Sequence, residues 1–140
     1  MKKIQFMVLD ERLIKEYNIV EKHIVISITS PGYEHAKLPE LKSRVGLLQL
    51  KFYDIDKPVI SHGKEYPTFT KEQAKTILKF FHSYKSKVNT VICQCEVGVS
   101  RSPAVAAALC KIIGQSDNKF FKYYVPNMFI YRLLLNEGTK

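Results

Sequence analysis

The sequence predicts an α/β domain built on one mainly parallel sheet of four to five strands, with helices flanking the sheet. Three observations lead there. Apolar runs of strand length at 4–9, 24–28, 45–53 and 88–94 alternate with helical patterns, as in a parallel sheet with crossover helices. The run Val91-Ile92-Cys93-Gln94 passes through a short polar loop straight into the alanine-rich segment 104–113. At 140 residues, 46% apolar and 25% charged, the chain suits a single domain, 1–140, with one core.

The elements follow in order. Ile4 to Leu9 reads as a first strand. Asp10 is a helix N-cap for a short helix to Tyr17, with Leu13, Ile14 and Tyr17 on one face. Ile24 to Ile28 is apolar enough to be an internal strand. Residues 29–44, with Pro31-Gly32 and Pro39, read as a solvated loop carrying Tyr33, His35 and Lys37, with the rim of a cleft as the alternative. Val45 to Tyr53 alternates, placing Leu48, Leu50 and Phe52 on one face. Lys57 to Phe69, holding Pro58, Gly63 and Pro67, reads as an inserted loop. Thr70-Lys71-Glu72-Gln73 has the form of a capping box, and Ala74, Ile77, Leu78 and Phe81 give the spacing of an amphipathic helix. Val88 to Gln94 is the strand feeding the loop. Ala104 to Ile113 is apolar on nearly every side, so it lies in the interior and ends at Gly114. Helices at 117–124 and from Asn127 onward close the chain.

The loop Cys95-Glu96-Val97-Gly98-Val99-Ser100-Arg101-Ser102 carries the chemistry. A strand running into a helix leaves the first helical N–H groups unpaired, and with the helix dipole they make an anion site. Successive loop amides can cradle phosphoryl oxygens. Gly98 suits a point of close backbone approach, and Arg101 adds a planar fork for two oxygens. The same positive field favours the thiolate of Cys95, a nucleophile for phosphorus. Pro103 fits the first helical turn, where no N–H is needed.

These residues, Cys95-x5-Arg101-Ser102 between a strand and a helix, resemble the signature of the cysteine-dependent protein tyrosine phosphatase superfamily. The form is most similar to its dual-specificity branch, in compact members of bacterial or phage type. The family pattern has histidine before the nucleophile; here that place holds Gln94, which hydrogen-bonds but carries no charge. The resemblance covers roughly 45–136 and is tightest over 91–104. It implies a protein tyrosine phosphatase-like fold and a cysteinyl-phosphate intermediate. It also implies an aspartate, on a loop at a strand's end, that protonates the leaving oxygen. Asp54 follows the matching strand and is the first choice; Asp56 is the reserve. The hydroxyl matching Ser102 assists departure of the thiolate. Asn127, in a Pro-Asn that starts the closing helix, matches a residue that braces the phosphate loop, though a plain N-cap explains it too. The resemblance calls for no metal or other cofactor.

The resemblance implies a phosphoprotein substrate, chiefly phosphotyrosine and also phosphoserine or phosphothreonine, because the loop lacks the lysines of lipid-phosphate members. The formal net charge of +9 attracts anionic partners and leaves a 5′-phosphatase acting on RNA open, with nucleic acid second to phosphoprotein. A phosphate-binding module without turnover is the other alternative. Cys93 and Cys95 sit two apart, with Cα atoms near about 7 Å in a strand, at the margin for a disulfide, so Cys93 reads as a buried, inert residue. Three cysteines without paired spacing, no membrane span and no secretory pattern after Met1-Lys2-Lys3 point to the cytoplasm.

Overall fold

The computed structural model describes residues 3–140; Met1 and Lys2, which open the basic N-terminal stretch, lie outside them. In chain order the elements are β1 (Gln5–Leu9), α1 (Glu11–Ile14), β2 (His23–Thr29), β3 (Arg44–Lys51), β4 (Val59–Ser61), β5 (Lys64–Tyr66), α2 (Lys71–Tyr84), β6 (Thr90–Gln94), α3 (Arg101–Ile112), α4 (Asn118–Tyr123) and α5 (Met128–Gly138). Four strands form one sheet in the order β1-β6-β2-β3, and every pairing in it is parallel. The predicted α/β class and mainly parallel sheet are therefore what the chain adopts.

The sheet is built by burial. β2 and β6, the inner strands, are buried at every position. β3, at the edge, alternates, with Leu48 and Leu50 turned inward and Leu47 and Gln49 exposed. One face carries the main core, where Ile24, Ile26, Ile28, Val91 and Cys93 meet α2, α3 and α5. The alanines of α3 let that helix lie close to the sheet, and it is enclosed from Arg101 to Cys110. The capping box at Thr70 and Gln73 is formed in full, and Ala74, Ile77, Leu78 and Phe81 are the buried face of α2. The other sheet face carries a smaller cluster of Ile14, Tyr17, Val25 and Ile92.

Three details differ from expectation. The helix after Asp10 is a single turn, so Leu13 is 48% exposed while Ile14 and Tyr17 are buried. One turn cannot aim more than part of a stripe inward. The 57–69 insertion is not all loop: β4 and β5 form an antiparallel hairpin closed by His62 (φ 51°) and Gly63 (φ 74°). Two central residues at positive φ make the turn whose twist suits a hairpin. The loop between β2 and β3 is not simply solvated. Tyr33, His35 and Lys37 line a cavity of about 270 Å³ that reaches Gln94 and Glu96.

Parallel strands put all their C-terminal ends on one edge. That edge gathers Asp10, Ser30, Phe52 to Asp54 and Cys95, from the four strands in turn. No helix among the described residues is long and apolar enough to cross a membrane.

Candidate active site

Cys95 follows β6 and is buried, its side chain on the helix-covered face with Cys93. The N–H of Gly98 points at its Sγ from 3.3 Å and that of Ser102 from 3.5 Å. Ser102 Oγ lies 3.1 Å from the same sulfur. Two backbone N–H groups and one hydroxyl thus surround the sulfur.

The loop's shape depends on Gly98. Its φ is +74°, and a Cβ there would stand 3.2 Å from the backbone nitrogen of Asp10. The dihedral strains any side chain there, and the approach is tight enough that Asp10 would have to yield. The N–H groups of Val97, Val99, Ser100 and Arg101 donate to no protein acceptor among the described residues. Ser100, at the N-cap of α3, does not cap it; its hydroxyl goes elsewhere. The N-terminus of a buried helix is therefore left open toward the loop, which favours an anion.

Arg101 is buried, and both terminal nitrogens of its guanidinium are held by protein groups while its Nε is not. One terminal nitrogen donates to Ser30 Oγ at 3.0 Å and to the Phe52 carbonyl at 2.9 Å. The other lies 3.4 Å from Glu96 Oε1. Its Nε is buried and has no partner. A buried charged donor without a partner is costly, and a bound oxyanion is the group that would satisfy it. Glu96 Oε1 also accepts from the Ser30 N–H at 2.8 Å. Hydrogen bonds from Ser30, together with the Arg101 guanidinium, hold the Glu96 carboxyl below the usual carboxylate range against the opposing effect of burial.

Asp54 is joined to this loop. Its Oδ1 accepts from Ser100 Oγ at 2.8 Å and from Asn127 Nδ2 at 2.9 Å. Asn127 is also the N-cap of α5, its Oδ1 accepting from the Ile130 N–H at 3.1 Å. Its own N–H donates to the Ser100 carbonyl at 3.0 Å. Asp56, two residues on, is exposed and makes no hydrogen bond or ion pair among the described residues. Gln94 is buried and accepts from Ser27 Oγ of the neighbouring strand, on the sheet face away from α3. Cys93 is wholly buried, and burial pushes its thiol far up.

The structure therefore brings together Cys95, Gly98, Ser100, Arg101, Ser102, Asp54 and Asn127, and leaves Asp56 outside. Sequence reasoning missed Ser30 and the Phe52 carbonyl as partners of Arg101, and Glu96 as its counter-ion. Ser30 directly follows β2, so the shared strand edge was the available clue.

No family model matches the chain, and no curated protein matches its sequence. Solved structures do match. The human tyrosine phosphatase-like serine/threonine/tyrosine-interacting protein superposes with a TM-score of 0.55 at 16% identity, covering 83% of this chain and 76% of that one. Tk-PTP in its active form gives 0.55 at 20% identity, covering 96% and 90%. PTPMT1, in complex with PI(5)P, gives 0.53 at 15% identity, covering 84% and 76%. The fold is that of the cysteine-dependent protein tyrosine and dual-specificity phosphatases.

Proposed function

We propose that this chain is a cysteine-dependent phosphatase hydrolysing phosphomonoesters, with phosphotyrosine in proteins as its main substrate. One observation carries the reading: a sulfur facing two backbone N–H groups and a hydroxyl, in a loop whose other amides and buried Arg101 Nε lack acceptors.

The thiolate of Cys95 attacks phosphorus, and the bond to the leaving oxygen breaks. Arg101 and the loop amides meet the charge on the equatorial oxygens. Asp54 gives its proton to the leaving oxygen. Water then attacks the cysteinyl-phosphate, Asp54 takes its proton, and sulfur leaves as thiolate beside the Ser102 hydroxyl. The products are the free hydroxyl compound and inorganic phosphate.

The preference for an aryl ester is supported by the mouth of the loop. Val97 is 69% and Val99 42% exposed, and the N–H of Val125, itself 72% exposed, bonds to the Val99 carbonyl. An apolar rim of this kind favours a tyrosyl ring over the short stem of serine. Hydrolysis of p-nitrophenyl phosphate by the wild-type chain and by Cys95→Ser tests the reading. Turnover that vanishes in the variant, with unchanged folding, supports it; equal turnover in both overturns it.

A further inference from the structure

Beside the phosphate loop lies a groove of about 1080 Å³, between the segment 54–59 and the face of α5 that bears Met128, Arg132 and Asn136. Its near end is formed by Asp54, Ser100 and Asn127, the three residues joined by hydrogen bonds at the edge of the cradle. If Asp54 protonates the leaving oxygen, whatever bears that oxygen departs on Asp54's side, which is the groove mouth. The groove exceeds what a phosphorylated ring would fill, since pockets for whole small ligands run to about 1,000 Å³. From Asn127 to Asn136 it follows the helix for roughly 13 Å at the usual rise per residue. That is about four residues of extended chain.

We infer that this groove receives the polypeptide flanking the phosphorylated residue and reads an acidic side chain in it through Arg132, an inference that rests on the phosphatase reading. Arg132 is exposed on α5, and Lys57 is exposed on the facing wall. Neither makes a hydrogen bond or ion pair among the described residues. Asp56 stands next to Lys57 on the same wall, and half of the lining is apolar, with Ile55, Val59, Met128, Phe129 and Leu133 in it. A lipid tail would match the apolar half of the lining but offer nothing to Asp56, Lys57 and Arg132. A nucleic acid strand would meet the carboxylates of Asp54 and Asp56. A polypeptide offers amides, apolar side chains and charges together. Arg132 lies one and a half turns beyond Asn127, roughly 7.5 Å along the helix. An extended peptide covers that in two to three residues, so the acidic side chain falls two or three positions from the phosphorylated one.

The test uses two phosphotyrosyl peptides, one with glutamate and one with lysine at those positions, beside p-nitrophenyl phosphate and vesicles containing a phosphatidylinositol phosphate. Wild-type chain and Arg132→Glu are compared by kcat/KM, and thermal unfolding confirms that both fold. The wild type is expected to prefer the glutamate peptide by roughly five- to tenfold, the scale of an exposed ion pair and its reversal. Arg132→Glu is expected to invert the preference when each peptide is normalised to the aryl phosphate. An unchanged peptide ratio overturns the inference. So does an equal loss on peptide and aryl phosphate, which would place Arg132 in the chemistry. Vesicle lipid hydrolysed far faster than either peptide, with the loss in Arg132→Glu confined to lipid, also overturns it. If the wild type hydrolyses no aryl phosphate, the phosphatase reading is what has failed. Fluorescence anisotropy of the same peptides then still decides the groove: inversion of binding preference supports it, and identical affinities sink it.

Discussion

The side-chain amide of Asn127 donates to Asp54 Oδ1 at 2.9 Å across 73 residues of chain, while its oxygen caps α5. One residue thus fixes both the start of a helix and the carboxylate proposed as the general acid. Asn127→Ala is expected to lower stability by about 1 kcal/mol through the lost cap. It should also lower kcat, because Asp54 loses a tether. Asn127→Ser keeps a capping oxygen but is too short to donate to Asp54, so stability should stay nearer wild type than in Asn127→Ala while kcat still falls. Thermal unfolding and steady-state kinetics on the two variants separate the roles. Equal kcat in wild type and Asn127→Ser would show that the tether is idle.

Asp54→Asn is expected to lower kcat by roughly 10²–10⁴-fold, the range for loss of a general acid. The effect should be largest on substrates with poor leaving groups. Asp56→Asn should change little, since the Asp56 carboxylate is exposed and bonded to nothing nearby. A pH–rate profile of each variant checks the assignment, and a steep loss in Asp56→Asn would transfer the role.

Gly98→Ala should disable the loop. The backbone sits at φ +74°, and the new methyl would meet the backbone of Asp10 at 3.2 Å. Relief requires the loop or the start of α1 to move, at a cost of about 1–3 kcal/mol. Because Gly98 lies within the loop that cradles the anion, oxyanion affinity should fall more than the unfolding temperature does. Inhibition by vanadate reads the first and calorimetry the second.

Acid should destabilise the fold in two steps whose signs agree. His23 is buried, and burial chiefly, with Arg44 adding to it, lowers its pKa below the ordinary histidine value. The unfolded chain then binds the proton more readily, so this part of the stability is lost as pH falls through about 6.5. Glu96, lowered by Ser30 and Arg101, contributes stability above the ordinary carboxylate value that is lost as pH falls through its depressed value. Glu96→Gln should flatten the lower step and leave the upper one. Unfolding temperatures from pH 8 to pH 3 measure both; parallel curves for the two proteins would remove Glu96 from the account.

The elements that were legible in the sequence are those whose information is local. The capping box at Thr70 and the stripe from Ala74 to Phe81 state a helix and its buried face without reference to anything else. The run from Val91 to Ala104 states strand, loop and buried helix in order. The hairpin at 59–66 was hidden because three-residue strands show no period. Its turn rests on His62, a residue that adopts positive φ only when its neighbours favour it. The single turn of α1 was overextended for a similar reason: the apolar spacing continued past the point where the backbone stopped being helical.

What the sequence determined by itself was the local make-up of the site: a cysteine, a glycine and an arginine within one short loop between a strand and a helix. Spacing within a short loop is inherited directly by the structure, because few residues intervene to alter it. Which aspartate meets that loop, and what holds Arg101 in place, was decided only when parallel strands aligned their ends. Ser30, Phe52, Asp54 and Asn127 reach the loop from separate parts of the chain. Their meeting depends on register and packing across the whole sheet, which no local pattern encodes.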